Sequence, residues 1–425
     1  MSAERKLWLW LIALLVVSFS VLLWVGSEVH RQMPPVPERV VTTSGEVVYT
    51  RADIETGRQV WQSMGGQQLG SIWGHGAYVA PDWTADWLHR EAVAWLDLLA
   101  RERGAESYAV LEPEMQAGLQ ARLQQLMRPN TYDAARQEVV IAPERATAMA
   151  SVASHYDALF GNDPALLDLR KGYAMKNDTI PDAGHRHKLA AFVWWTAWSA
   201  VTERPGQEIS FTANWPFDPV VGNEPPPNLL LWTVFSVLFL IAGVALLGWY
   251  YATHREDHGH KPPATDPLAS ITVTPSMKAT AKYFWVVVAL FLVQILLGAF
   301  TAHYQVEGHD FYGINLSEYL PYSLTRSWHT QLAVLWIATA WLGMGLYIGP
   351  AISGHEPKFQ RLGVNVLWVC LIIIVVGAFA GQWFAVMQKL GLEKNFWFGH
   401  QGWEYVDIGR FWQWFLFLGL GIWLT

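Results

Sequence analysis

The chain has 425 residues, of which 52% are hydrophobic and only 15% are charged, and 25 are tryptophan. Soluble domains carry about 25% charged residues, so the composition argues against an ordinary soluble domain. The formal net charge of −7, without a basic stripe, argues against nucleic acid as a partner. Because there is one cysteine, Cys370, an internal disulfide and a thiolate metal site are excluded.

Five apolar runs have about the length of a membrane span, and a sixth is shorter, since a helix needs about 20 apolar residues to cross the hydrocarbon core. Trp and Tyr crowd the ends of these runs, which is typical of the membrane interface. The sequence therefore predicts a mainly α, multi-span transmembrane helical bundle with the lipid bilayer as its surroundings. The runs are 7–25, 229–252, 284–302, 329–347, 364–386 and 411–425.

The first run belongs to residues 1–26, where Arg5 and Lys6 precede the apolar stretch. This pattern fits either a signal peptide or an uncleaved anchor. The stretch is long for a signal peptide and no small-residue cleavage site clearly follows it. We therefore favour an N-terminal transmembrane anchor.

Residues 27–227 are expected to form a domain of their own, bounded by the proline-rich segments 34–37 and 225–227. Helical patterns are clearest at 143–159 and 187–202, and few alternating strand patterns are visible. The domain is therefore predicted to be mostly helical.

Lys and Arg in the short loops predict the orientation, because these residues accumulate on the cytoplasmic side. If the N-terminus is cytoplasmic, Arg255, Lys278 and Arg361 fall inside, and the loop 304–325, without Lys or Arg, falls outside. Lys389 and Lys394, in the next outer loop, are a mild exception. The predicted order is the anchor 1–26, an extracytoplasmic domain 27–227, a linking transmembrane helix 228–253, a cytoplasmic connector 254–280 and further transmembrane helices 281–425.

The fourth run contains His329. The apolar runs contain no other Asp, Glu, Lys, Arg or His. Such residues are costly in a membrane and are functional candidates by default. Neutral imidazole is a common axial ligand of haem iron, and Arg326 lies on the same helical face, where it could pair with a haem propionate. The alternative is a histidine that is hydrogen-bonded to a neighbouring helix, and the residues alone leave both open.

His303 and Glu307 follow the third run at positions i and i+4, which share one face of a helix. A base beside a carboxylate at the membrane edge suits the two-proton oxidation of a lipid-soluble quinol. On the residues alone, simple solvation of two interfacial polar side chains is the favoured alternative.

Two further segments contain oxygen donors suited to a hard cation. Gly76 and Tyr78 belong to a glycine-rich turn, and Glu404 belongs to the loop before the last apolar run. The sequence by itself does not bring the segments together. No CxxCH motif occurs, so no c-type haem is expected.

Four segments carry a resemblance to a known family: GGQQLGSIWGHGAY at 65–78, APDWTADWLHRE at 80–91, RSWHT at 326–330 and FGHQGWE at 398–404. Together they resemble the quinol-dependent nitric oxide reductases of the haem–copper oxidase superfamily. The similarity extends along the whole chain, and the tryptophan-rich motif at 70–91 is its most specific part.

The resemblance implies the start of a haem–copper oxidase fold in the bacterial cytoplasmic (inner) membrane, preceded by a cytochrome-c-like domain without haem. Residues 66–70 occupy the haem-attachment position, so both thioether cysteines and the axial histidine are replaced. Electrons would then come from membrane quinol, either menaquinol or ubiquinol, and no soluble cytochrome c would be needed.

Carried over position by position, the resemblance implies three sites at the outer membrane face. His329 would be an axial ligand of the low-spin haem b. His303 and Glu307 would contact quinol. The implied calcium ligands are Gly76, Tyr78 and Glu404.

The resemblance also implies ligands that this sequence lacks: those of the high-spin haem b3 and the non-haem iron, and the second histidine of the low-spin haem. We therefore expect an N-terminal portion, with the ligands of the binuclear centre on further helices beyond Thr425. The expected reaction converts two NO and quinol to N2O, quinone and water, as electron transport in denitrification. Alternatives are a truncated, non-catalytic membrane-anchored module and a quinol oxidase that reduces O2, which the 70–91 motif disfavours.

Overall fold

The computed structural model describes residues 3–254, 264–309, 311–314, 316–401 and 407–424. Helices dominate these residues, as predicted. In chain order they are α1 (Ala3–Arg31), α2 (Arg51–Ser63), α3 (Trp83–Arg101), α4 (Pro113–Met127), α5 (Pro143–Phe160), α6 (Leu167–Gly172), α7 (Ala183–Val201), α8 (Pro227–His254), α9 (Pro275–Ala279), α10 (Ala281–Val306), α11 (Tyr322–Ser353), α12 (Gln360–Val386), α13 (Leu392–Phe398) and α14 (Arg410–Leu424).

Within the described part of the chain, five helical segments are long and apolar enough to cross a membrane. They coincide with the first five predicted runs, so the prediction of a multi-pass membrane protein is confirmed. The sixth run forms α14, which at 15 residues is shorter than these and ends at Leu424. Thr425, with which that predicted run ends, lies outside the described residues. The five are Glu4–Arg31, Pro227–His254, Pro275–Val306, Tyr322–Ser353 and Gln360–Val386.

The helices α10, α11 and α12 pack against one another, whereas the most apolar stretches of α1 and α8 bury nothing against the rest of the chain. Leucines at Leu290, Leu297 and Leu332 join α10 to α11. The phenol of Tyr283 on α10 donates a 2.7 Å hydrogen bond to the main-chain oxygen of Val364 on α12. This contact fixes the two helices together at the end that begins α10.

The N-terminal domain, between α1 and α8, is built around tryptophan. Trp83, Trp87, Trp194 and Trp198 are each at most 1% exposed and lie in one apolar core formed by α3, α5 and α7. The unusual tryptophan content therefore serves a domain core as well as the membrane interface.

Two small sheets complete this domain. The first has the order β2-β1-β6-β5, with β1 parallel to β6 and the other pairs antiparallel; the second pairs β3 with β4. At two to four residues, the strands are too short to give a readable alternation. They are β1 (Arg39–Thr42), β2 (Val47–Thr50), β3 (Ser71–Ile72), β4 (His75–Gly76), β5 (Tyr132–Asp133) and β6 (Glu138–Ile141).

The N-terminal domain sits on one end of the membrane helices. Tyr304 near the end of α10 and Tyr322 at the start of α11 are buried in the same apolar core as the domain tryptophans. Polar contacts reinforce this joint: the amide of Gln388 donates to the hydroxyl of Ser63 at 3.2 Å. The predicted site residues of α10 and α11 therefore lie directly beneath the domain.

Candidate functional site

His329 lies on α11, half-buried, with its ring turned toward α10. Its Nδ1 is 2.9 Å from the main-chain oxygen of Gln294. Because a carbonyl oxygen only accepts, Nδ1 carries the proton, and the lone pair of the neutral ring is on Nε2. Within the described residues, Nε2 has no hydrogen-bond partner.

A glycine makes room for this ring. A Cβ atom added at Gly298 on α10 would lie 2.7 Å from Cε1 and 2.9 Å from Nδ1 of His329, closer than real contacts allow. The side chain of Gln294 is itself held by the indole of Trp336, which donates to it at 2.7 Å. The imidazole is thus oriented through Nδ1, as is usual for metal-ligating histidines.

These contacts fit the predicted haem. One nitrogen is hydrogen-bonded to the neighbouring helix, as the alternative interpretation of His329 requires, but the other remains available to iron. The hydrogen bond and the ligand role are therefore compatible, and axial ligation stays a prediction.

Arg326, one turn earlier on α11, contacts the N-terminal domain. Its guanidinium donates to the side-chain oxygen of Gln68, whose amide donates at 2.6 Å to Asp407. Gln68 belongs to a 3-10 turn, Gly66–Gln68, in the segment that by resemblance replaces the haem attachment. The arginine therefore ties α11 to this turn, and its pairing with a propionate stays a prediction.

Beside it is a buried polar cluster that sequence reasoning missed. The Nε2 atom of His400 is 2.8 Å from the hydroxyl of Ser327 and 3.6 Å from a carboxylate oxygen of Asp407. The side chains of His400 and Asp407 are fully buried. Burial lowers the pKa of His400 and raises that of Asp407, although His400 and Gln68 oppose the latter shift.

No sequence signal could have found this cluster, because its members come from three separate segments. Gln68 and Asp407 are 339 residues apart. His400 entered the sequence analysis only as part of a resembling motif.

His303 and Glu307 meet at the end of α10. Nδ1 of His303 is 3.0 Å from Oε2 of Glu307, and their side chains are 38% and 40% exposed. One face of the imidazole stacks on Phe311, with ring centroids 3.9 Å apart, and Tyr312 lies edge-on. The i, i+4 spacing thus produces a joined acid–base pair on the surface.

The two candidate sites are neighbours. Gly298, against which His329 packs, precedes His303 by five residues on α10, and a helix rises about 1.5 Å per residue. The pair therefore lies only about 8 Å further along α10.

The predicted calcium ligands are only partly described. The backbone at Gly76 has φ of +143°, and a Cβ there would lie 2.5 Å from the oxygen of Gly70, so this position requires glycine. The exposed Tyr78 donates from its hydroxyl to the oxygen of Gly74 at 3.1 Å. Glu404 lies outside the described residues. The carbonyl and phenol oxygens are donors of the type calcium accepts, and its binding stays a prediction.

The described residues contain no group of three or more His, Cys, Asp or Glu that could hold a metal. A site formed mainly by main-chain carbonyl oxygens would not produce such a group, and neither would a single axial histidine. The placement of the binuclear-centre ligands beyond Thr425 concerns residues outside this sequence, so it stays a prediction.

Comparison with known families covers most of the chain. Residues 37–217 match the NorB family model, which describes the cytochrome c-like domain of a nitric oxide reductase. Residues 278–425 match the model for cytochrome c and quinol oxidase polypeptide I. The chain belongs to the haem–copper oxidase superfamily. Its domain order is that of an N-terminal portion of a NorB-type nitric oxide reductase. A comparison with curated proteins finds no match.

The candidate sites divide between the two matched regions of this haem–copper oxidase family member. Gly76 and Tyr78 lie in the cytochrome c-like region, whereas His303, Glu307, Arg326 and His329 lie in the oxidase region. The hydrogen bonds of Gln68 cross from one region to the other.

Proposed function

We propose that this protein is the quinol-oxidising portion of a nitric oxide reductase. Quinol would give two electrons and two protons, and two NO would be converted to N2O and water. One observation carries the proposal: a cytochrome c-like domain of the nitric oxide reductase type contains no CxxCH. Without a covalent haem, the domain would not receive electrons from a soluble cytochrome c. The electrons would therefore come from a donor in the membrane.

The His303–Glu307 pair is the proposed quinol site. With Nδ1 engaged by the Glu307 carboxylate, Nε2 of His303 is the atom that accepts a proton from a quinol hydroxyl. The carboxylate then stabilises the imidazolium that results, and it offers an acceptor for the second proton. Because Phe311 covers one ring face, quinol would approach through the ring edge.

His329 is the proposed ligand of the electron acceptor. Its Nε2 atom faces away from the hydrogen bond to Gln294, so this atom would hold the iron of haem b. A haem b supplies a one-electron acceptor when it is bound. Arg326 is half-buried on the same helix, where it would contact a propionate. The reduction of NO needs a haem b3 and a non-haem iron, for which we assign no ligands in this sequence.

The proposal also assigns the orientation and a calcium site. Lys278, Lys358 and Arg361 lie at the end of the membrane helices opposite the N-terminal domain, which favours a cytoplasmic location for that end. The domain would then face the outside of the bacterial cytoplasmic membrane. Calcium would bind Gly76, Tyr78 and Glu404, and would tie the domain to the membrane part.

The test uses His303→Ala in the full-length enzyme. We expect quinol-driven NO consumption to fall by about 10²-fold or more, the usual contribution of a positioned base, while NO reduction from an artificial donor is unchanged. The matched control is His355→Ala, which removes an exposed histidine at the other end of the helices.

Two results would contradict the proposal. If both rates fell together, His303 would not act on quinol. If the wild-type enzyme consumed O2 with quinol and formed no N2O from NO, the alternative of an oxygen-reducing quinol oxidase would hold instead.

A further inference from the structure

A cationic pocket lies at the end of the membrane helices that is remote from the N-terminal domain. Its volume is about 670 Å³, and it opens between the start of α10 and the start of α12. Three basic side chains line it: Lys278, Lys282 and Arg361. The part of the chain that the structure describes contributes no carboxylate to its lining.

The depth of the pocket corresponds to a membrane interface. Lys282 precedes Tyr304, which packs in the N-terminal domain, by 22 residues of α10, or about 33 Å at 1.5 Å per residue. The hydrocarbon core is about 30 Å thick. Trp285, which also lines the pocket, is 74% exposed and suits the headgroup region, where tryptophan accumulates.

Lys282 is fixed within the pocket and does not extend freely into solvent. Its ammonium donates to the side-chain oxygen of Asn365 at 2.5 Å and lies 4.7 Å from the ring centre of Trp368. The adjacent Tyr283 anchors α10 to α12 through its hydrogen bond to Val364. The cation is therefore positioned by neutral partners, and its charge is not cancelled.

One described acidic residue near the pocket, Glu356, is already hydrogen-bonded. Glu356 accepts a hydrogen bond from the main-chain nitrogen of Ser276 at 3.1 Å. Desolvation opposes the shift, but hydrogen bonds with Thr274 and Ser276 lower the pKa of Glu356, and the charge of Arg361 adds to this. One carboxylate is not enough to neutralise three cations, so the described residues give the pocket a net positive charge.

We propose that this pocket binds the phosphodiester headgroup of an anionic phospholipid. Basic pockets between transmembrane helices on the cytoplasmic side are a known way to bind such headgroups. The open side of the pocket lets acyl chains run along the exposed faces of α10, where Phe291 and Leu292 are turned outward. A free phosphate would satisfy the same cations, but it would gain nothing from this apolar surface.

The experiment measures lipid binding by the full chain in detergent or in phosphatidylcholine nanodiscs. The probes are dioctanoyl phosphatidylglycerol, its phosphatidylcholine counterpart and inorganic phosphate. We expect phosphatidylglycerol to bind in preference to phosphatidylcholine. We expect millimolar phosphate to compete weakly. Lys282→Gln and Arg361→Gln should each weaken binding about fivefold, the effect of one basic residue at a membrane surface.

Lys389→Gln is the matched control. Lys389 also lies over a tryptophan, at 4.5 Å from the ring centre of Trp383, but it is at the opposite end of α12 and outside the pocket. This variant should bind phosphatidylglycerol like the wild type.

Arg361 keeps the test decisive if Lys282→Gln does not fold. Arg361 is exposed and its interaction with Glu356 is electrostatic, so its replacement should leave the thermal unfolding temperature nearly unchanged. Arg361→Lys should retain binding, whereas Arg361→Gln should weaken it about fivefold. Equal binding of the two phospholipids, or of Arg361→Gln and wild type, would overturn the proposal. Competition by phosphate as strong as that by phosphatidylglycerol would show a free-anion site and overturn it as well.

Discussion

At the scale of single residues, the contact between His329 and Gly298 decides how the imidazole is presented. The ring lies so close to α10 that a methyl group at Gly298 would overlap it. The hydrogen bond from Nδ1 to Gln294 depends on the same close approach. The glycine therefore matters for the direction of Nε2 as much as the histidine itself does.

This dependence predicts the effect of Gly298→Ala in the full-length enzyme. The added methyl group should push the ring away from Gln294, at a stability cost of about 1–3 kcal/mol as for overpacked sites. We expect the low-spin b-haem absorbance to be lost or shifted.

Gly349→Ala is the control for this variant, because a Cβ at Gly349 meets nothing within 4 Å. Both variants should be compared by their reduced-minus-oxidised spectra and by their haem content. An unchanged b-haem spectrum in Gly298→Ala would refute the ligand geometry.

The sequence could predict His329 because an ionisable residue in an apolar run is conspicuous. It could not predict the roles of Gly298 and Gln294, because neither is ionisable and both lie on a different helix. Their importance comes from the packing of α10 against α11, which spacing along one helix does not reveal.

At the scale of elements, the pairing of α3 with α5 depends on a buried ion pair. Arg145 on α5 donates at 2.6 Å to Glu91 on α3, with side-chain exposures of 5% and 0%. The indole of Trp87 also donates to Glu91, at 2.8 Å. The carboxylate is thus satisfied twice, which compensates for its removal from water.

Removal of one partner should therefore be costly. We expect Arg145→Ala to lower the free energy of unfolding of the N-terminal domain by about 3–5 kcal/mol, because Glu91 is left buried and unpaired. The measurement is denaturant unfolding followed by tryptophan fluorescence. Arg51→Ala, which breaks an exposed pair with Glu38, should cost less than about 1 kcal/mol. Equal costs for both variants would contradict this account.

The elements differ in how far the sequence could predict them. The apolar runs predict α10, α11 and α12 because a span must be continuous. The four-stranded sheet could not be predicted, because β1 and β6 are short and lie far apart in the chain. They pair in parallel, with Arg39 opposite Glu138. The tryptophan core of the N-terminal domain was not predicted either, because the sequence analysis explained the tryptophans by their position at the membrane interface.

At the scale of the whole molecule, the N-terminal domain is joined to the membrane helices through the buried polar cluster. Gln68 comes from the domain, Arg326 and Ser327 from α11, and His400 and Asp407 from the segment between α13 and α14. Because these residues lie beside the proposed haem site, the joint also sets the position of the turn Gly66–Gln68 above it.

Protonation of His400 should weaken this joint. Burial lowers the pKa of His400 in the folded protein, so below the unfolded value of about 6.5 the unfolded chain binds the proton more readily. Stability is therefore fully present above about pH 6.5 and is lost as the pH falls through the folded pKa. The raised pKa of Asp407 has the opposite effect on stability. As the pH falls, it favours the folded protein, but only once that carboxyl starts to take up its proton.

We therefore expect residues 66–70 to exchange their amide hydrogens through more frequent opening at pH 5.5 than at pH 7.5, after correction for the intrinsic rates. The difference in opening free energy should be at most about 1.4 kcal/mol per pH unit. His400→Gln should abolish most of it, and His355→Gln, at the opposite end of the helices, should retain it. If His400→Gln kept the wild-type pH dependence, another group would be responsible for the change at the joint.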